Sequence, residues 1–592
     1  MPGILPETNT MNKGSINRTT LFSVIIMAAL TALSACNNQS EEKSKSINND
    51  SRPNVLFIVA DDLGFTDLSS YGSEILTPNI DALAHQGMQF SRFYSASMCA
   101  PTRAMLLTGM DNHVTGLGNM AELMSENQRG KPGYEGYLKK ELVTLPEILL
   151  NSGYHTYMVG KWHLGYEHDQ SPRARGFERS LALLNGGASH YEDMGGTDIH
   201  RPKSAYREDG ELISALPQGF YSSKAYTDKL IEYLEINRAD STPFFAYAAY
   251  TSPHWPLHAP DDIRDKYVGT YDEGYDVVRA KRYQSAKNVG LLPEKGTIPA
   301  RPKFIPSWNS LSEEEKRIAA REMEVYAAMV ADLDRNIGRL ITYLKHNDLY
   351  KNTLIVFMSD NGSDGFSLTS APDAIKQFAA LHDNSLDNIG RPNSFSFIGP
   401  KWAHVGEAPF RLYKMIPTEG GIRVPAIIVL PSDRTGKKQK VNINKSVVSV
   451  MDLLPTVLDL VGLEYSGEAR SASNNNRSTI KAPQGRSLLP VLSGQKNAVR
   501  NGNDVLGSEL IGRRAIIKGD WKIVDLPEPL GSGQWELFNL ENDPGEQVDL
   551  AGMNPEKLEE MTEEWRLYAI RNGVVLPPPG PPQVNPMHTP TR

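Results

Sequence analysis

Val55-Leu56-Phe57-Ile58-Val59-Ala60-Asp61-Asp62 sets six apolar residues in a row and then breaks into two carboxylates. Apolar character that continues instead of alternating marks a strand buried on both faces, as in a sheet covered by helices on each side. Three further runs share this form: 156–159 leads to Lys161 and His163, 244–250 leads to His254, and 353–359 ends at Asp360-Asn361. Helical patterns lie between them. The clearest starts at Ser312, which forms a capping box with Glu315, and carries Ile318, Val325, Met329, Leu333, Ile337, Leu340 and Leu344 on one stripe before the strand at Thr353. Shorter helices are expected over 78–86 and 101–108, each opened by Pro and stopped by Gly, and over 446–460 after a strand at 426–430. This alternation predicts an α/β fold, a large mixed, mostly parallel sheet sandwiched by helices, with ligands beyond the carboxyl ends of its strands. After Gly494, short strands near 515–518, 521–524 and 535–539 and a helix over 555–571 predict a smaller C-terminal α+β domain with a short antiparallel sheet. The polar or Pro/Gly-rich stretches 192–219, 260–306, 363–400 and 466–483 read as rim loops or unstructured segments, and the tail after Leu576 as extended.

Composition narrows the function. The 592 residues carry a net charge of −8 with 22% charged residues and no basic block, which argues against a nucleic-acid partner. Residues 21–35 are nearly all apolar or small and follow Lys13 and Arg18, the layout of a secretory leader too short to span a bilayer; the start is Met1 or Met11. Only Cys36 and Cys99 are present, so a disulfide framework is excluded. The expected plan is a leader over 1–35, a flexible polar tether over 36–52 reaching roughly 20 to 25 Å, a catalytic body over 53–498, and a small domain with a Pro-rich tail over 499–592.

Asp61, Asp62, Asp360 and Asn361 come from two strands far apart in the chain. Either pair alone reads as a loop start or helix cap. Together at one sheet edge, three carboxylates and an amide form an all-oxygen site for a hard cation, Ca2+ ahead of Mg2+, whereas zinc would require His or Cys. Cys99 stands just before Pro101, where the free N–H groups and dipole of a helix start favour an anion, with Arg103 one turn on. By residue type alone, a lone cysteine is a small buried apolar group or an activated thiolate.

The run Ser97-Met98-Cys99-Ala100-Pro101-Thr102-Arg103-Ala104-Met105-Leu106-Leu107-Thr108-Gly109 resembles the signature of type I sulfatases, in which the cysteine is oxidised to formylglycine. Gly153-Tyr154-His155-Thr156-Tyr157-Met158-Val159-Gly160-Lys161-Trp162-His163 resembles their second signature. Pro409-Phe410-Arg411-Leu412-Tyr413-Lys414 with Glu419-Gly420-Gly421-Ile422-Arg423-Val424-Pro425 most resembles bacterial arylsulfatases, and 535–544 resembles the C-terminal family motif. The resemblance implies the alkaline phosphatase-like fold, a large mixed sheet between helices with a small C-terminal sheet domain. It also implies that Cys99 becomes formylglycine beside Ca2+ held by Asp61, Asp62, Asp360, Asn361 and residue 99 itself. In that scheme Arg103 holds the nucleophile, Lys161 and Lys414 bind the sulfuryl oxygens, and His254 or Lys414 protonates the leaving oxygen. His163 takes a proton from the second hydroxyl so that the aldehyde reforms. The implied reaction is hydrolysis of a sulfate monoester, on a small molecule or a sulfated glycan, to alcohol or phenol plus inorganic sulfate, after maturation by a formylglycine-generating enzyme. His113, His258 and His404 read as packing or surface residues, with a pocket-lining place near Lys414 as the alternative for His404, and Trp255 and Trp402 read as rim aromatics.

Leu33-Ser34-Ala35-Cys36 resembles the lipobox of bacterial lipoproteins, which implies lipidation at Cys36, passage through the lipoprotein export machinery and a place on the outer membrane with the body in the periplasm or at the cell surface. Two rivals remain. One is a phosphonate monoester or phosphodiester hydrolase of the same superfamily, whose relatives tend to carry His at the position of Asn361. The other is a non-catalytic lipoprotein that binds sulfated glycans through Lys161, Lys414 and Arg103 and keeps Cys99 as a thiol.

Overall fold

The computed structural model describes residues 52–294, 296–432, 442–465 and 482–580. The expected leader, Cys36, all of the tether but its last residue, residues 466–481 and the end of the Pro-rich tail lie outside the described residues.

In chain order the first strands are β1 (Asn54–Ala60), β2 (Met88–Tyr94), β3 (His155–Lys161) and β4 (Arg179–Leu183), followed by the hairpin β5 (Gly195–Asp198) and β6 (Arg201–Lys203). Then come β7 (Tyr206–Glu208), β8 (Glu211–Ile213), β9 (Phe244–Ala249), β10 (Thr353–Ser359), β11 (Arg423–Val429), β12 (Asn442–Asn444) and β13 (Val448–Ser449). All but the hairpin join one 11-stranded sheet in the order β12-β2-β11-β10-β1-β9-β3-β4-β7-β8, with β13 beside β2. Its centre, β10-β1-β9-β3-β4, is parallel throughout. β11 runs antiparallel to β10, and β7 antiparallel to β4, which makes the sheet mixed as expected.

The continuous apolar run of β1 now has its reason. Leu56, Ile58 and Ala60 enter one core with the helices Pro78–Gln86, Ser222–Ile236 and Glu313–His346. Val55, Phe57 and Val59 enter the opposite core with Cys99–Thr108, Leu145–Asn151 and Leu453–Val461. Side chains alternate between faces, and both faces are covered. The capping box at Ser312 is formed, Glu315 N donating to Ser312 Oγ at 3.3 Å and Ser312 N to Glu315 Oε2 at 2.8 Å.

Several expectations need correction. The helix expected over 446–460 starts only at Leu453, because Val448 and Ser449 pair with β2 and Asp452 accepts from Ser449 N. The helix expected from 101 starts at Cys99 itself. Stretches read as loops hold structure: 192–219 contains β5 to β8, 260–306 the helices Asp261–Arg264 and Tyr275–Asn288, and 363–400 the helix Asp373–Ala379.

The C-terminal sheet has four antiparallel strands, β14 (Val505–Leu510), β15 (Arg513–Lys518), β16 (Trp521–Asp525) and β17 (Trp535–Asn539). One face packs Ile516, Ile523 and Leu537 on Met561, Trp565 and Tyr568 of the last helix, Pro555–Asn572. The other packs Ala515, Val524, Leu526 and Phe538 against Leu412 and Ile416, which flank Lys414.

Candidate active site

The register of the central strands builds the site. Ala60 pairs with Ser359, so Asp61-Asp62 and Asp360-Asn361 leave adjacent parallel strands side by side. On the other flank of β1, Val59 pairs with Ala249, and Asp61 N donates to Ser252 O at 3.2 Å in the loop that carries His254. Asp62 sits at φ 66°, a left-handed conformation in which its N–H reaches Asp360 Oδ1 at 3.3 Å.

Cys99 opens its helix over this edge, with Sγ 3.4 Å from Asp61 Oδ1 and 3.9 Å from Asp62 Oδ1. Burial and the Asp360 carboxylate push its thiol well above the ordinary range, so this cysteine is no activated thiolate. Arg103, one turn along, is fully buried and donates from Nε (3.0 Å) and a terminal nitrogen (2.6 Å) to Asp360 Oδ2 and from the other to Lys161 O at 2.9 Å. Burial pushes Asp360 up, but Arg103, followed by Lys161 and Lys414, outweighs it and holds the carboxyl below its usual value. Lys161 donates to both oxygens of Asp61 at 2.8 Å. Lys414 donates to Asp62 Oδ2 at 2.8 Å and to Asp364 Oδ2 at 3.2 Å. Burial works against both ammonium groups, yet these carboxylates raise their pKa, so both lysines stay charged.

The donor set fits a hard cation. Asp61, Asp62, Asp360 and Asn361 are all buried, and burial raises Asp61 and, more strongly, Asp62 because removal from water penalises adjacent negative charges. Asn361 Nδ2 donates to Asp62 Oδ1 (2.7 Å) and Gly362 O (2.8 Å), while its Oδ1 is buried without a hydrogen-bond partner. A buried acceptor left unmatched costs free energy, and a metal ion is one group that satisfies it. Ligand atoms of Asp61, Asp62, Cys99 and His254 lie within 4.8 Å of one another.

The two histidines differ. His254 Nδ1 meets Trp255 O at 2.6 Å and Nε2 lies 3.4 Å from Asp62 Oδ2, inside the cluster. Burial, then Lys414 and Lys161, depress its pKa far below the ordinary value, so its resting form is neutral. His163 lies outside that grouping of ligand atoms. At φ 55° its Nε2 meets Glu122 Oε1 at 3.1 Å while Nδ1 is buried without a partner. Burial lowers its pKa and the Glu122 carboxylate only partly opposes this.

Sequence reading missed Glu122 and Asp364. Neither stands in a motif; Asp364 lies three residues beyond Asn361, the one local hint. His113, His258, His404 and Trp402, which the sequence also singled out, are packed away from the cage. His113 bridges Asp111 and Glu509, His258 Nε2 meets Ser394 O, and His404 is buried on the helix Gly399–Gly406. Trp402, expected at the rim, is 1% exposed and packs on Tyr271 and Tyr275, so the structure moves it to the core.

Fold and site together define a hydrolase of the alkaline phosphatase-like class, and the comparisons specify it. Residues 53–463 match the family model described as Sulfatase. The chain is 44% identical over 556 residues to an uncharacterized sulfatase of Schizosaccharomyces pombe, covering 92% of this chain and 97% of that one. It is 38% identical over 456 residues to an arylsulfatase of Klebsiella aerogenes, covering 76% and 92%. Among solved structures, Ps i-CgsB in complex with k-i-k-neocarrahexaose superposes with a TM-score of 0.62 at 24% identity over 88% of this chain and 94% of that one. Phosphonate monoester hydrolase SpPMH from Silicibacter pomeroyi shares the fold at a TM-score of 0.52 and 19% identity, over 88% and 96%. The chain belongs to the sulfatase family. It is a sulfuric ester hydrolase.

Proposed function

We propose that this enzyme is an exported, lipid-anchored, arylsulfatase-like hydrolase. It splits a sulfate monoester and water into alcohol or phenol plus inorganic sulfate, using formylglycine made from Cys99 and a resident Ca2+. The observation that carries the reading is the seat of Cys99, 3.4 Å from Asp61 Oδ1 at a helix N-terminus within a buried cage that also holds Arg103, Lys161 and Lys414. The Sγ atom marks where the oxygens of the matured side chain would stand. Oxidised and hydrated, position 99 supplies two geminal hydroxyls, one to attack sulfur in line and one to expel sulfate by C–O cleavage. Asp61, Asp62, Asp360, Asn361 and residue 99 would hold the Ca2+, which would supply Lewis-acid polarisation of a sulfate oxygen and acidify a neighbouring hydroxyl.

The protein's own residues do the rest. Lys161 and Lys414, kept charged by their carboxylate partners, bind the sulfuryl oxygens. Arg103, locked between Asp360 and Lys161 O, orients the helix end that bears residue 99. The Trp255 carbonyl can only accept, so the proton of the neutral His254 ring is on Nδ1 and Nε2 is bare. Nε2 acts as the acid only after it has taken up a proton, which an anionic ester beside it favours, and Lys414, charged throughout, is the other donor to the leaving oxygen within the cage. His163, anchored through Nε2 to Glu122, keeps Nδ1 as the basic lone pair that accepts the proton of the second hydroxyl.

The leader over 1–35, the tether over 36–52, lipidation at Cys36, and division of the body near 498 belong to the same proposal, as do an outer-membrane address and maturation by a formylglycine-generating enzyme. The test is peptide mass spectrometry at position 99 alongside sulfate release from 4-nitrophenyl sulfate, in protein made with and without such a maturation enzyme. Full activity with an intact thiol would overturn the mechanism; activity that tracks the aldehyde supports it.

A further inference from the structure

Beside the sulfate-binding cage the chain builds an aromatic wall that the bond-breaking steps do not use. Trp255 directly follows His254, the two ring centroids 5.0 Å apart. Phe366 stacks on Trp255 at 5.2 Å and 15°, and Phe397 and Phe395 pack around it at 5.0 and 5.8 Å. With Phe378, Ile199 and Leu368 these rings form a cluster separate from the two cores of the main sheet. The contributing segments are the β5–β6 hairpin, the loops that leave β9 and β10, and the stretch around the helix Asp373–Ala379. They therefore stand over the carboxyl edge where the site lies. Phe395 and Phe397 are buried, whereas Trp255, Phe366, Leu368 and Ile199 keep part of their surface open.

Asp364 fuses this wall to the chemistry. Its Oδ2 accepts from the Trp255 indole Nε1 at 2.8 Å and from Lys414 Nζ at 3.2 Å, and its Oδ1 accepts from Phe366 N at 2.9 Å. The carboxylate nearest the wall is thus occupied internally, and so is the indole N–H. What these residues still offer to a bound molecule is ring face and aliphatic surface. A hydroxyl-rich group placed there would give up water without gaining partners from them, while an apolar group gains by leaving water.

We propose that Trp255, Phe366, Leu368 and Ile199 form the leaving-group subsite, and that it selects an apolar leaving group, an alkyl chain or an aryl ring, over a sugar. The inference rests on the sulfatase reading and adds the substrate class. The ester oxygen served by His254 is bonded to the group that lies along the neighbouring Trp255 ring.

The test uses matured enzyme and linear primary alkyl sulfates from butyl to decyl, kept below their micelle thresholds, with phenyl sulfate and galactose 6-sulfate as the other two arms. The expected result is a two- to fourfold rise in kcat/KM per methylene over the first several carbons, the factor that methylene burial gives. Phenyl sulfate should exceed galactose 6-sulfate by at least tenfold. The Phe366→Ser variant should flatten the chain-length slope and Phe366→Leu should retain it. Inhibition of the unaltered enzyme by the product alcohols gives a second measurement free of any folding defect, with Ki falling as the chain lengthens. A flat series, preference for the sugar sulfate, or a slope untouched by Phe366→Ser overturns the subsite while sulfate release keeps the sulfatase reading standing. Absence of sulfate release from every ester would instead remove the reading beneath it.

Discussion

At position 361 an amide does what a carboxylate could not. Its Nδ2 donates to Asp62 Oδ1, which damps repulsion in a crowded anionic cage, and its Oδ1 is left as a neutral donor for a cation. Replacing Asn361 by His introduces a softer nitrogen ligand, and Ca2+ titration of activity and of the thermal midpoint should show a weaker calcium response than in the parent. A response equal to the parent's would remove Asn361 from the ligand set. Cys99→Ala deletes the side chain that matures, so turnover should drop to background, a loss of at least about a thousandfold. Steady-state sulfate release checks it, with a circular dichroism spectrum to show that the variant folds. Of these residues, the signature around Cys99 and the acid pairs were legible in the chain, because each is a local pattern. Glu122 and Asp364 were not, since their roles exist only through partners 41 and 50 residues away.

Among elements, the C-terminal sheet matters because it braces the loop of Lys414. Lys522 on β16 is fully buried, 2.9 Å from Glu419 Oε1 and 2.8 Å from Glu546 Oε1. Glu419 opens the Gly420-Gly421 turn, where a Cβ at Gly421 would fall 1.8 Å from Ile416 O and one at Gly362 would fall 1.9 Å from Gly420 O. The turn is therefore wedged between the loop bearing Lys414 and the one bearing Asn361, and only glycine permits that approach. Lys522→Met takes the paired cation from buried Glu546 and leaves Glu419 with Arg423 as its ion-pair partner, and should cost about 3 to 5 kcal/mol of stability. Thermal denaturation should show a lowered midpoint and kinetics a raised KM, with Glu546→Gln added to the same chain recovering part of both. An unchanged midpoint and KM would mean that the sheet does not support the site. Sequence reading found β15 to β17 but not β14, whose run is broken by Gly507, Ser508 and Glu509. It also extended a helix through Val448-Ser449, where pairing with β2 overrides local helical periodicity.

For the whole molecule, the main body and the C-terminal elements are joined by a buried histidine. His113 sits between Asp111 and Glu509 at 2.9 Å each, and Tyr568 of the last helix donates to Asp111 Oδ2 at 2.7 Å. Burial opposes its charge, but the two carboxylates prevail and raise its pKa to about 9. A histidine whose folded value lies above the unfolded one stabilises in full below the unfolded value of about 6.5 and loses that stabilisation as pH climbs through about 9. The contribution is about 3 kcal/mol at most. The thermal midpoint should fall between pH 7 and pH 9.5, and less steeply in His113→Gln; identical slopes would deny the linkage. Removing the resident cation with a chelator should lower both the midpoint and the activity, and Ca2+ should restore them, because an ion bound only by the folded state stabilises it by mass action.

The chain by itself determined that buried strands end in carboxylates, that a helix follows within two residues of Cys99, and that helices cover both faces of a sheet. Each follows from apolar periodicity, capping residues or a contiguous motif, all readable within a short window. Tertiary structure alone decided that β1 and β10 lie side by side so that Asp61 and Asp360 meet, that Glu122 rather than the acidic cluster holds His163, and that Trp255, Asp364 and Lys414 join an aromatic wall to the buried cage around Cys99. These pairings depend on long-range packing of the whole sheet, and no local stretch of sequence carries the free energy that selects them.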